Sequence, residues 1–192
     1  MPAGRKNVMK TKKGLSSRQI RKMTYAALYL GIALVLPFIT GQIPEIGKML
    51  CPMHIPVLLC GFLCGWPWGL AVGFIAPLLR SVLFGMPALF PSAVAMAFEL
   101  AAYGAVSGWL YYILPRMKGK VYIVLVIAMV AGRLVWGGAQ MILSGLIHSE
   151  FTPTLFLAGA VTNAIPGIIL HLALIPIVVM AMERAGLSLN DQ

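Results

Sequence analysis

Negative charge is scarce in this chain. Five Asp and Glu stand against fifteen Lys and Arg in 192 residues, and charged residues make up only 10% of the total. Hydrophobic residues make up 60%, and the mean hydropathy is +0.90. A water-soluble domain of this size has no interior large enough for so much apolar surface. That balance excludes a soluble globular domain and implies an integral membrane protein. Cysteine is sparse as well: Cys51, Cys60 and Cys64. An odd number, with two inside one apolar run, makes no disulfide framework. Cys60 and Cys64 share a helix face without His or carboxylate at ligand spacing, so they read as small packing residues and no metal site is expected. Signatures of catalysis are missing too. The chain has no His-Glu-x-x-His, no Gly-x-Ser-x-Gly, no phosphate-binding glycine loop and no paired carboxylates in its apolar runs. It reads as no enzyme, needs no cofactor, and has no familiar means of using ATP itself.

What remains is a series of long apolar runs and twenty glycines. Helix-length runs favour a helical bundle over a barrel, whose strands would alternate over about ten residues. The expected fold is all-α: a polytopic membrane bundle of six transmembrane helices. The spans run at about 23–38, 55–65, 68–84, 93–113, 121–147 and 153–182. The second is short against the roughly 20 residues a bilayer asks for. It works as a span if the outer segment 40–53 continues it; otherwise 55–84 is one kinked re-entrant element. Ser92 reads as the N-cap of the fourth span. Residues 1–22 form a basic tail, 23–183 the membrane domain, and 184–192 a second short tail.

Eight of the fifteen Lys and Arg lie in residues 1–22, three more in the 115–120 loop and one in the C-terminal tail. The opposite side has only Lys48. Both termini are therefore expected to be cytoplasmic. The tail reads as a partner for anionic lipid, not for nucleic acid, and it lacks the apolar region of a signal peptide. Met9 could equally be the start.

The informative residues are the polar ones inside the spans. Arg133 sits in the middle of the fifth, with Trp136 and Gln140 at i+3 and i+7 on the same helical face. A charge at bilayer depth costs at least about 2.5 kcal/mol on insertion scales, so such a residue faces the bundle interior. A cation, an aromatic and an amide converging there suit a small-molecule site; a structural ion pair or a tight interhelical contact is the plainer alternative. Arg80 near the end of the third span and Glu99 in the fourth lie at similar depth and are expected to pair. Arg133 then has no obvious acidic partner and needs carbonyls, Glu99 shared with Arg80, water or an anionic ligand, which favours the binding-site reading. Asn163 in the sixth span joins the candidate site, either as a ligand contact or as an interhelical hydrogen bond. His171 reads as a satisfied core histidine, His54 as interfacial or part of a lid, and Tyr103 as a wall or simple packing.

The stretch Leu50-Cys51-Pro52-Met53-His54-Ile55-Pro56-Val57-Leu58-Leu59-Cys60-Gly61-Phe62 and the run Pro77-Leu78-Leu79-Arg80-Ser81-Val82-Leu83-Phe84-Gly85 carry a resemblance. With six spans in under 200 residues, a basic N-tail and a small-residue step in the first span, the chain resembles the substrate-binding S components of energy-coupling-factor (ECF) vitamin transporters over about residues 19–183. The resemblance implies capture of a vitamin-like ligand near the outer face of the cell membrane. It also implies docking on a membrane coupling subunit (EcfT-like) carried by two cytoplasmic ATPase subunits. The family's Ala-x-x-x-Ala docking motif maps to Ala27-x-x-x-Gly31, departing at Gly31, and its lid maps to residues 40–53. Substrate binding falls to Arg133, Trp136, Gln140 and Asn163, with Arg80 and Glu99 beside them. Two arginines suit a carboxylate or phosphate, so pantothenate leads among the family's ligands, with cobalamin, riboflavin or a pyrimidine precursor open. Two other classes remain: a membrane scaffold like the cell-shape protein MreD, which should pair Arg133 internally and hold no ligand, and a stand-alone secondary transporter.

Overall fold

The computed structural model describes residues 16–39, 50–115, 117–146, 152–160 and 164–189. Among them the chain is all helical: α1 (Ser17–Ile39), α2 (His54–Cys64), α3 (Trp66–Phe84), α4 (Val94–Ile113), α5 (Lys120–Leu146), α6 (Pro153–Ala160) and α7 (Ile165–Arg184). Five of these segments are long and apolar enough to cross a membrane, and α2 is a shorter apolar helix. The first span starts earlier than expected, because α1 takes in Arg18, Arg21 and Lys22 from the basic tail. The expected sixth span is described as two helices, with Pro166 in the first turn of α7, where its missing N–H costs nothing. Ser92 lies in a wide turn, Leu89–Ala93, and no side chain caps α4.

Helix directions follow from matched contacts. Leu34 meets Arg80 and Phe38 meets Phe84, so α1 and α3 run parallel. Gly69 lies against Gly104 and Gly73 against Leu100, so α3 and α4 are antiparallel. Glu99 meets Arg133 while Tyr111 meets Lys120, so α4 and α5 are antiparallel too. The α7 helix runs with α2 and α4: His171 faces His54 and Glu183 accepts a hydrogen bond from the Tyr111 hydroxyl. At one end of the bundle Arg18 donates to the Leu189 carbonyl, and the Leu189 amide donates to the Leu63 carbonyl at 2.8 Å. The described ends of the chain therefore lie together, as an even number of crossings requires.

Glycine sets the spacing of α2, α3 and α4. A Cβ on Gly69 would stand 2.5 Å from the Gly104 carbonyl oxygen, and one on Gly61 the same distance from that oxygen. Gly108 faces the Trp66 amide and the Gly61 carbonyl just as closely. Apolar lipid gives helices no hydrophobic reason to associate, so close backbone approach and dispersion must hold them, and only glycine permits it here. Gly65, at φ 97°, makes the abrupt turn from α2 into α3.

Every residue of α2 is buried. A helix that is apolar all round belongs inside, and α1, α3, α4 and α7 enclose it. Its 11 residues span only about 16 Å at 1.5 Å per residue. With its C-terminal end at the level of Arg18 and Leu189, its N-terminal end stops inside the bundle. The short second span thus brings Cys51–His54 to the depth of Glu99.

Gly104→Ala should destabilise the purified protein by about 1–3 kcal/mol, since a backbone carbonyl cannot move aside for the methyl group. Gly31→Ala should be neutral, because nothing among the described residues lies within 4 Å of a Cβ built there. Thermal unfolding in detergent compares the two; equal melting temperatures would refute the glycine seam.

Candidate functional site

The site is built around one carboxylate. Glu99, on α4 about one and a half turns from its start, is only 2% exposed. An ionised carboxylate there is tolerable only with partners. Arg133 Nη1 on α5 lies 2.9 Å from Glu99 Oε1. The Tyr103 hydroxyl, one turn below on α4, donates to the same oxygen at 3.3 Å. His54 Nε2, from the inner start of α2, stands 3.5 Å from it. That approach lies at the outer limit and makes no hydrogen bond, so His54 keeps both ring nitrogens without a hydrogen-bond partner among the described residues. All three contacts that the described residues make with Glu99 end on Oε1.

Ring packing holds the cluster in place. His54 meets the Tyr103 ring edge-on at 5.0 Å and stacks on His171 of α7 at 5.9 Å. The Tyr103 ring lies flat on α5 at Gly132, where any Cβ would strike it. Arg133 also donates from Nη2 to Cys51 Sγ at 3.7 Å, and the Cys51 backbone hydrogen-bonds His171. Cys51 itself sits at φ 47°, a left-handed conformation that costs a non-glycine residue about 1–3 kcal/mol and tends to occur where function needs a fixed geometry. His171 Nε2 is buried without a hydrogen-bond partner among the described residues. Four helices and the segment before α2 thus converge on one polar centre. It offers a cation, an anion, a phenol and two imidazoles in an apolar surround.

The expected residues divide in four. Glu99 and Arg133 are brought together. Trp136, one turn along α5 from Arg133, stacks on Phe156 of α6 at 6.2 Å, and Gly137 and Gly159 make room for the two rings. Gln140, a further turn on, is half-buried. Asn163 lies outside the described residues, as does 40–49, most of the expected lid.

The expected Arg80–Glu99 pair is not formed. Arg80 is buried at 3% exposure, but it donates to the Leu34 carbonyl on α1 and its guanidinium rests against the touching Phe38 and Phe84 rings, 5.0 and 5.4 Å from their centroids. The glycine seam explains why. Gly73, against Leu100, is the part of α3 level with Glu99. Arg80 is seven residues on, about 10 Å nearer the opposite end at 1.5 Å per residue. Glu99 is therefore free for Arg133, which has to itself the carboxylate it was expected at most to share with Arg80.

His171 as a satisfied core histidine is corrected by its bare Nε2. His54, read as interfacial, is buried at the centre. Local spacing does not reveal either role, because each depends on which helices meet. The usable signal was the polar residue type inside an apolar run, the same signal that marks Arg133.

This geometry describes a multi-pass membrane bundle with a buried, internally compensated polar site. The sequence matches the family model described as "ECF transporter, substrate-specific component" over residues 21–179. The chain belongs to that family. Comparison with curated proteins and with solved structures gave no match.

Removing Arg133 alone would leave Glu99 buried and uncompensated. Arg133→Ala should cost about 3–5 kcal/mol of stability, and adding Glu99→Gln should recover part of it. Melting temperatures of the two single variants and the double variant measure the coupling. Strict additivity would refute the pair.

Proposed function

We propose that this chain is the capture subunit of a vitamin importer of the cell membrane, with both termini in the cytoplasm. A small vitamin-like molecule enters from the outer side and binds at Glu99, Arg133, Trp136, Gln140 and Asn163. The chain then docks on a membrane coupling subunit of the EcfT type driven by two cytoplasmic ATPases. Family membership carries this reading, together with the cluster of ionisable side chains where α2 starts inside the bundle. The orientation is supported by the gathering of the described chain ends on the side of Lys120, where the basic residues also cluster.

Arg80 is assigned to holding α1 against α3. Pantothenate was favoured by two guanidiniums awaiting an anion. Arg133 is engaged with Glu99, and Arg80 with a carbonyl and two rings, so that support is lost. The internal pairing of Arg133 is what a scaffold would have, but a scaffold gives no reason for imidazole nitrogens left bare in the core, and the family match favours capture.

For docking, Ala27 and Gly31 support the reading by where they face. Both are exposed on α1, while Ala26, Tyr29 and Ala33 pack inward. The small step is therefore unused inside the chain and open to a close-approaching partner helix.

Native mass spectrometry of the detergent-purified protein should reveal a co-purified small molecule. An empty protein whose stability ignores a vitamin panel would refute capture. Ala27→Leu should leave binding unchanged and abolish uptake by cells that carry the complete transporter; unimpaired uptake would reject that docking face.

A further inference from the structure

We propose that the molecule held at this site is a nitrogen heterocycle that donates N–H hydrogen bonds and carries no net negative charge. The inference rests on the capture reading and specifies its substrate class.

Charge is the first reason. Arg133 and Glu99 compensate each other at 2.9 Å. An incoming carboxylate would have to take Arg133 from Glu99, leaving two anions together in an apolar interior. That arrangement suffers both like-charge repulsion and the loss of a buried pair. A neutral or singly cationic molecule leaves the pair in place.

Unfilled hydrogen bonding is the second reason. Among the described residues His54, 2% exposed, has both ring nitrogens without a hydrogen-bond partner next to the carboxylate, and His171, 3% exposed and stacked on His54, has a bare Nε2. A neutral imidazole has one nitrogen that accepts and one that donates. Glu99 is only an acceptor, and its contacts with the described residues all end on Oε1, which leaves Oε2 to accept more. Acceptors therefore predominate among the unused groups: Oε2 and one nitrogen on each histidine. An amino group or ring N–H satisfies them. Because buried polar groups without partners are costly, a molecule that supplies those donors gains affinity that a donor-free analogue cannot.

The test uses the full-length wild-type protein in detergent, stripped of co-purified molecules. Binding is read by calorimetry and thermal shift with four probes: thiamine and cytosine as amino-heterocycles, pantothenate and biotin as carboxylates. At least one amino-heterocycle should bind tenfold or more tighter than either carboxylate. Glu99→Gln, which keeps the side-chain volume, should weaken that binding tenfold or more, with unchanged elution on size exclusion as the folding control. A carboxylate probe that binds tighter would overturn this inference and leave capture standing. So would a co-purified carboxylate or phosphate identified by mass. Should Glu99→Gln fail to fold, the wild-type preference still decides. No binding of any probe, with nothing co-purified before stripping, would overturn the capture reading itself.

Discussion

A carboxylate buried in an apolar helix is the constraint that the rest of this bundle has to meet. Ionised and alone in such a medium, Glu99 would be costly enough to favour taking up a proton or leaving the interior. It stays because α5 delivers Arg133 to one of its oxygens and α4 itself supplies Tyr103 one turn away. The pair in turn fixes how α4 and α5 pack, since a one-residue rotation of either helix about its axis would carry its charge away from the other. Breaking a buried pair is far more damaging than replacing both members, so the contact specifies geometry more than it adds net stability.

The glycine seam and the ion pair divide the work. Gly61, Gly69, Gly73, Gly104 and Gly108 bring the backbones of α2, α3 and α4 into contact. That contact fixes the depth of every side chain on those helices. Because α2 has only 11 residues and its C-terminal end is tied to Leu189, its N-terminal end opens into the bundle next to Glu99. A span of about 20 residues would place His54 about two and a half turns nearer the outer surface, away from the carboxylate. The site exists because one helix is short.

These relations explain what could be read from the residues alone. Apolar runs, the basic tail and the isolated charges Arg133 and Glu99 are local properties, and all were legible. So was the membership, through the pattern of spans and the stretches at 50–62 and 77–85. The partnerships were not. Arg80 lies about one turn before the 85–91 turn and Glu99 about two turns after it, so simple counting puts them at similar depth, yet the contact of Gly73 with Leu100 sets α3 so that Arg80 meets Leu34 and two phenylalanines instead. His54 and His171 lie 117 positions apart and meet only because α2 is enclosed by α4 and α7, among others. Sequence periodicity tells which face of a helix is buried, but not what it is buried against.

A capture protein must also be stable while empty. A lone guanidinium waiting for an anion would leave the empty state with an uncompensated buried charge, and each release of ligand would restore that cost. Arg133 closed on Glu99 removes the difficulty, since the empty site is already neutral. In the reading proposed above, recognition then passes from charge to the ring nitrogens without a partner among the described residues, both of His54 and Nε2 of His171. Such groups discriminate well: an analogue lacking the matching donor leaves them unsatisfied, and rejection of that kind reaches about 10⁴–10⁵ where the site is built around a hydrogen bond. Selectivity and stability of the empty state are thereby assigned to different side chains, and neither has to be weakened for the other.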